Sequence, residues 1–123
     1  MATPTDPARH LRWEDLPKDH PMDKLARRRI VGERVMLSEV FLERGCTVPG
    51  HAHENEQIAC TLKGALRFYI GSEDRTQCDV IDVKAGEVLH LPPHTYHAAE
   101  ALEDTLVLDI FSPVSETTGI DRE

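Results

Sequence analysis

The chain has 123 residues, 40% of them hydrophobic and 29% charged, with a formal net charge of −8. Such a length and composition describe one globular domain built on a single core. The acidic balance argues against nucleic acid or an anionic membrane as partner, and no apolar run approaches the ~20 residues of a membrane span.

Residues 1–25 carry Pro4, Pro7, Pro17 and Pro21 among many charges. They read as a partly extended N-terminal arm, with Trp13 and Leu16 as docking points on the body. Residues 1–10 lack the apolar stretch of a secretion signal. Residues 24–29 form a basic run that reads as a solvated stretch or an edge strand. Cys46, Cys60 and Cys78 are odd in number and show no C-x-x-C pairing. They read as reduced, mostly buried thiols, and a cytoplasmic location is the expectation.

Residues 26–115 read as the folded domain, and 116–123 as a C-terminal tail. Alternating apolar and polar positions predict strands over 35–42, 47–53, 57–62, 66–70, 78–83, 88–91, 97–101 and 105–111. Between them fall turn signals: Arg44-Gly45, Lys63-Gly64, residues 71–74, Lys84-Ala85-Gly86, Pro92-Pro93 and residues 102–104. Many short strands at close, even spacing predict an all-β sandwich or barrel. The last strand is almost wholly apolar. Leu106, Leu108 and Ile110 share one face; Val107, Asp109 and Phe111 share the other. A strand apolar on both faces is covered on both, here by the barrel interior and by either the arm or a second subunit.

His51 and His53 stand at i and i+2, so a strand projects both imidazoles from one face. Neutral imidazole is the commonest protein ligand for transition metals, and a bound metal is the physical reason to place two side by side. Gln57 and His97 are candidate third and fourth ligands. Glu54 and Glu56 lie close by and read chiefly as a solvated turn.

The spacing around these residues resembles the two-motif signature of the cupin superfamily. The first motif is Gly45, five residues, His51-x-His53, three residues, Gln57, six residues, Gly64. The second is Gly86, five residues, Pro92, and then His97. The resemblance implies a single-domain cupin jelly-roll β-barrel with a metal held by His51, His53, Gln57 and His97. It also implies a homodimer. His94 occupies a turn position of the motif that needs a positive φ, which histidine tolerates. His90 reads as a satisfied or surface histidine.

Most cupins place a glutamate where this chain has Gln57. Three histidines and a glutamine are all neutral, so a divalent ion would keep a charge of about +2 rather than about +1. The extra charge makes a stronger Lewis acid and disfavours oxidation of the ion. His51-Ala-His53-Glu-Asn-Glu-Gln57-Ile, and the final strand around Asp109, Phe111 and Pro113, resemble a narrower subgroup. It includes the pectin-degradation cupin that linearises unsaturated uronates and the cupin isomerase of bacilysin biosynthesis. That likeness implies catalytic roles for Asp109, as a proton shuttle, and for Phe111. The uronate enzyme also carries an arginine suited to a sugar carboxylate where this chain has Ser115; Arg67 or Arg34 is a candidate substitute.

The reading is therefore a non-redox metalloenzyme of isomerase, tautomerase or lyase type. Its substrate would be a small sugar acid or oxo acid, and its cofactor one divalent transition metal (Zn, Ni, Fe, Mn or Co). A metal-dependent dioxygenase and a non-catalytic binding or sensor module are the alternatives.

Overall fold

The structure, a computed structural model, describes residues 7–114. The proposed tail at 116–123 and Ser115 lie outside them. Ten strands follow a single 3-10 turn at Trp13–Asp15, and the described residues contain no α-helix. In chain order they are β1 Asp19–Met22, β2 Leu25–Val31, β3 Met36–Leu42, β4 Thr47–His51 and β5 Glu56–Lys63. Then come β6 Ala65–Ile70, β7 Asp79–Lys84, β8 Val88–Leu91, β9 His97–Ala101 and β10 Thr105–Ser112. They form a six-stranded sheet, β1-β2-β3-β10-β5-β8, and a four-stranded sheet, β4-β9-β6-β7. Every pairing is antiparallel. This is the all-β architecture that the strand spacing predicted, in the jelly-roll form that the resemblance implied.

The alternation written in the sequence decides which side chains turn inward. On β10, Thr105, Val107, Asp109 and Phe111 are buried, while Leu106, Leu108 and Ile110 are half-buried on the outer face. Strand β3 matches it residue for residue, with Met36, Ser38, Val40 and Leu42 turned inward. The core between the sheets gathers Leu25, Val40, Leu42, Val48, Leu66, Phe68, Val83, Leu91 and Val107, among others. Full burial of each such side chain stabilises the fold by roughly 1.5–3 kcal/mol before entropy is counted.

Gly64 shows why the β5–β6 turn is so tight. Its φ is +84°, and a Cβ there would lie 2.6 Å from Thr105 Oγ1 and 2.9 Å from Thr105 Cα. Only glycine satisfies both demands at once. Thr105 Oγ1 in turn accepts the Ala65 amide at 3.2 Å, which locks the start of β6 onto β10.

The basic run behaves differently from its sequence reading. Residues 25–31 form the second strand of the sheet, inside β1, rather than its edge. Arg27 points inward and is only 2% exposed. Its Nε and Nη2 donate to the Asp19 carboxylate at 3.2 and 2.8 Å, with Arg29 Nη2 a further 3.7 Å away. Local charge density could not reveal this, because Asp19 arrives from another strand. Trp13 and Leu16 are half-buried. Cys46 is buried, with Sγ directed at the Asp23 carbonyl, and burial raises its pKa; Cys60 and Cys78 are only half-buried, not buried as expected.

The Arg27 hydrogen bond, with its charge, holds the Asp19 carboxyl below its ordinary value of 3.8. A depressed folded-state pKa gives stability that is complete above the unfolded value and is lost as pH falls through the folded one. Asp19→Asn is expected to cost about 1 kcal/mol at neutral pH, a figure discounted because the carboxylate is half-exposed. In urea unfolding of metal-free samples, the gap between variant and wild type should close as pH drops below 3.8. A gap that persists unchanged in acid would contradict the ion-pair account.

Candidate metal centre

Three strands and one loop bring the centre together. His51, at the end of β4, and His97, at the start of β9, are directly opposed in the ladder of the four-stranded sheet. His53 follows in the loop after β4. Gln57 comes from the other sheet, on β5, paired with Phe111 on β10 and Leu91 on β8. The ring centroids of His51 and His97 are 4.3 Å apart, those of His53 and His97 5.2 Å, and those of His51 and His53 5.5 Å. One nitrogen from each of the three lies within 4.8 Å of the others. That is close to the ~4 Å limit set by two metal–nitrogen bonds of about 2.1 Å.

The backbone sets the direction of each imidazole. His51 Nδ1 donates to the Pro49 carbonyl at 2.8 Å, His53 Nδ1 to the Asn55 carbonyl at 3.0 Å, and His97 Nδ1 to the Thr95 carbonyl at 2.8 Å. A carbonyl can only accept, so each Nδ1 carries the proton and each Nε2 keeps its lone pair. Gln57 is oriented in the same way. Its Nε2 donates to Asp109 Oδ1 at 3.1 Å, which turns Oε1 towards the histidines. Gln57 Oε1 then lies 3.2 Å from His53 Nε2. With the ring in the neutral form that a metal ligand takes, both of these atoms are acceptors, and a cation between them is what makes that distance favourable. The donor set therefore fits a divalent transition metal: three imidazoles and an amide oxygen, all neutral.

Surrounding residues hold this arrangement. Asn55 is 1% exposed. Its carbonyl fixes His53, and its side chain donates to the Pro113 carbonyl, tying the His53 loop to the end of β10. Nothing in the run Glu54-Asn55-Glu56 sets it apart by sequence. Gly50 lies against Tyr96, whose phenol occupies the space a Cβ would need. Any larger residue there would push on the strand just before His51. The Phe111 ring meets that of His53 edge-on at 5.8 Å.

Burial lowers His97 to about 4, with the neighbouring His51 and His53 adding to the effect against its Thr95 hydrogen bond. It is thus neutral, as a metal ligand must be. Asp109 is pushed the other way. Burial raises its carboxyl to about 7, opposed by the Gln57 hydrogen bond. Asp109 and Phe111 both line the same cavity as His51, Gln57 and His97.

The remaining sequence candidates stand apart. Arg67 binds Asp82 on β7 at 2.7 and 3.0 Å, and neither it nor Arg34 lines the cavity. His90 is exposed and pairs with Glu56 at 2.6 Å, which takes both away from the metal ligands. His94 has φ 64°, the positive value its turn position called for. Its amide donates to the His53 carbonyl at 2.8 Å, so it supports the site through its backbone.

Comparison with known proteins agrees with this picture. Residues 38–111 match the cupin domain family. No curated protein matches the sequence. Among solved structures, KdgF from Halomonas sp. superposes with a TM-score of 0.73 at 27% identity, over 84% of this chain and 93% of that one. An RmlC-like cupin from Shewanella frigidimarina gives 0.77 at 21% identity, over 89% and 95%. Oxalate decarboxylase from Bacillus subtilis gives 0.74 at 21% identity, over 85% of this chain but only 29% of that one. The last two likenesses speak for the fold alone. With the family match covering the candidate ligands and most of both sheets, this chain belongs to the cupin family.

Proposed function

We propose that the protein is a non-redox metalloenzyme, an isomerase, tautomerase or lyase, acting on a small oxo acid or sugar acid. His51, His53, Gln57 and His97 would hold one divalent metal. The observation that carries this reading is the convergence of four neutral acceptor atoms beside a buried carboxyl. A divalent ion in such a neutral ligand set supplies strong Lewis acidity towards a carbonyl or enol oxygen.

The chain's own residues supply the rest. Asp109 lines the cavity with Oδ1 bonded to the Gln57 amide. It takes a proton from one carbon of the substrate and returns it to another, which is the task of an isomerase base. Gln57 keeps that carboxyl aimed at the cavity. Phe111 closes the space beside His53 and keeps water from competing for the proton.

The outer face of the six-stranded sheet supports a homodimer. Leu37 and Phe41 from β3, Ile58 from β5, and Leu106, Leu108 and Ile110 from β10 lie half-buried there, next to Leu62 at 50% exposure. The arm reaches only part of it, with Lys18 Nζ 4.7 Å from the Phe41 ring centre. A second copy placed face to face would cover the remainder.

Three measurements test these statements. Metal-loaded protein is expected to exchange the protons next to the carbonyl of an oxo acid for solvent deuterium, or to remove the absorbance of 4,5-unsaturated galacturonate. Either activity should stop with chelator. His51→Ala should lose metal affinity by at least about 100-fold, and turnover with it. Turnover that survives chelation would overturn the proposal, and oxygen consumption strictly dependent on ferrous iron would select a dioxygenase instead.

Asp109→Asn keeps an acceptor for the Gln57 amide, so metal content should remain at wild-type level while kcat falls by about 100-fold or more. Gln57→Glu should also retain metal. It should slow turnover as well, because it lowers the ion's charge and sets a second carboxylate against Asp109. Unchanged kcat in both variants would remove Asp109 from the mechanism.

In light scattering, wild type should have twice the 13.9 kDa chain mass. Leu108→Glu should be monomeric with its metal content intact, whereas a monomeric wild type would refute the dimer.

A further inference from the structure

The cavity beneath the metal ligands differs in chemistry from its polar mouth. Besides His51, Gln57, His97 and Asp109, its lining is wholly apolar, with Leu25, Leu42, Leu66, Phe68, Ala99 and Val107 typical of it. No lysine or arginine lines it among the described residues. About 40 Å³ of it is open to the centres of water-sized groups. That is a small space, with room for a short chain only.

A polyhydroxylated chain placed there would bury hydroxyls whose one polar neighbour outside the candidate ligands is Asp109, already bonded to the Gln57 amide, and each unpaired hydroxyl is costly. A short alkyl chain meets no such cost. A substrate carboxylate would find no cationic side chain in the lining, so its charge must be met at the metal position, where the neutral ligand set leaves the full charge of the ion.

We infer that the site takes an oxo acid bearing a short unbranched alkyl tail, rather than a polyhydroxylated sugar acid, with the oxo-acid oxygens at the metal position and the tail in the Leu25–Leu66–Val107 cavity. This rests on the metal-centre reading above and narrows its substrate class.

The test uses the full chain loaded with cobalt(II), with metal content measured first. The cobalt visible spectrum is then titrated with pyruvate, 2-oxobutanoate, 2-oxopentanoate, 2-oxohexanoate and 2-oxooctanoate, and with D-galacturonate. Affinity is expected to rise about fourfold for each methylene that enters the cavity. It should stop rising once the tail fills the cavity and fall for the octanoate. D-galacturonate should bind more weakly than 2-oxopentanoate. Ala99→Val narrows the cavity, so the optimum should move to a shorter tail at unchanged cobalt stoichiometry.

Affinities independent of tail length, or D-galacturonate binding as tightly as 2-oxopentanoate, would overturn the inference while leaving the metal centre standing. A failure to load cobalt would instead overturn the metal-centre reading itself. Should Ala99→Val fail to fold, the wild-type series decides alone.

Discussion

Everything at the centre of this molecule depends on hydrogen bonds that aim lone pairs at one point. Three backbone carbonyls, those of Pro49, Asn55 and Thr95, each take an Nδ1 proton and leave an Nε2 acceptor facing inward. Asp109 does the same for Gln57 by accepting a hydrogen bond from its amide nitrogen. In their neutral forms these acceptors repel one another, most directly at the 3.2 Å between His53 Nε2 and Gln57 Oε1. The packing of two sheets holds them there against that repulsion, and a cation is the species that turns the repulsion into binding. The rigidity comes from the ladders: His51 opposes His97 in one sheet, and Gln57 is fixed between β8 and β10 in the other.

Much of this was legible in the sequence, for definite physical reasons. Period-two alternation located the eight strands from β3 to β10 to within about two residues at each end, because each strand buries one face. His-x-His within its glycine framework pointed to the three-histidine cluster, since strand geometry alone sets two imidazoles side by side. The positive φ of His94 was likewise fixed by its turn. Other features were hidden because their partners are distant along the chain. Arg27 looks like part of a solvated basic run until Asp19 is brought across from β1. Asn55 looks like its acidic neighbours until Pro113 is placed above it. The requirement for glycine at position 50 is visible only once Tyr96 lies on it. Arg67 was a reasonable candidate for a carboxylate grip by charge alone, but Asp82 on the adjacent strand engages it fully.

The absence of a cationic side chain from the cavity lining among the described residues bears on how charge is managed here. A site with a glutamate ligand neutralises part of its ion internally. With His51, His53, Gln57 and His97 as the proposed ligands, this one would spend no ligand charge, and its interior is apolar, so electrostatic interactions within it are weakly screened. Under the proposed function, a substrate anion would need no arginine to be attracted. The same low polarity keeps the Asp109 carboxyl poised near neutrality rather than fully ionised.

A strand that serves such a site carries two obligations. Phe111, Asp109 and Val107 must face the cavity, so Ile110, Leu108 and Leu106 are forced to the outer face by the pleat. That outer face is apolar, and Glu39 within it is held by Arg28 across the strand pair at 3.8 Å, both largely removed from water. An ion pair set among leucines and a phenylalanine gives little net stability. It does give direction: a partner surface docking there must place a polar group against the pair and apolar groups around it. A second copy of the same sheet, turned about a two-fold axis, presents both.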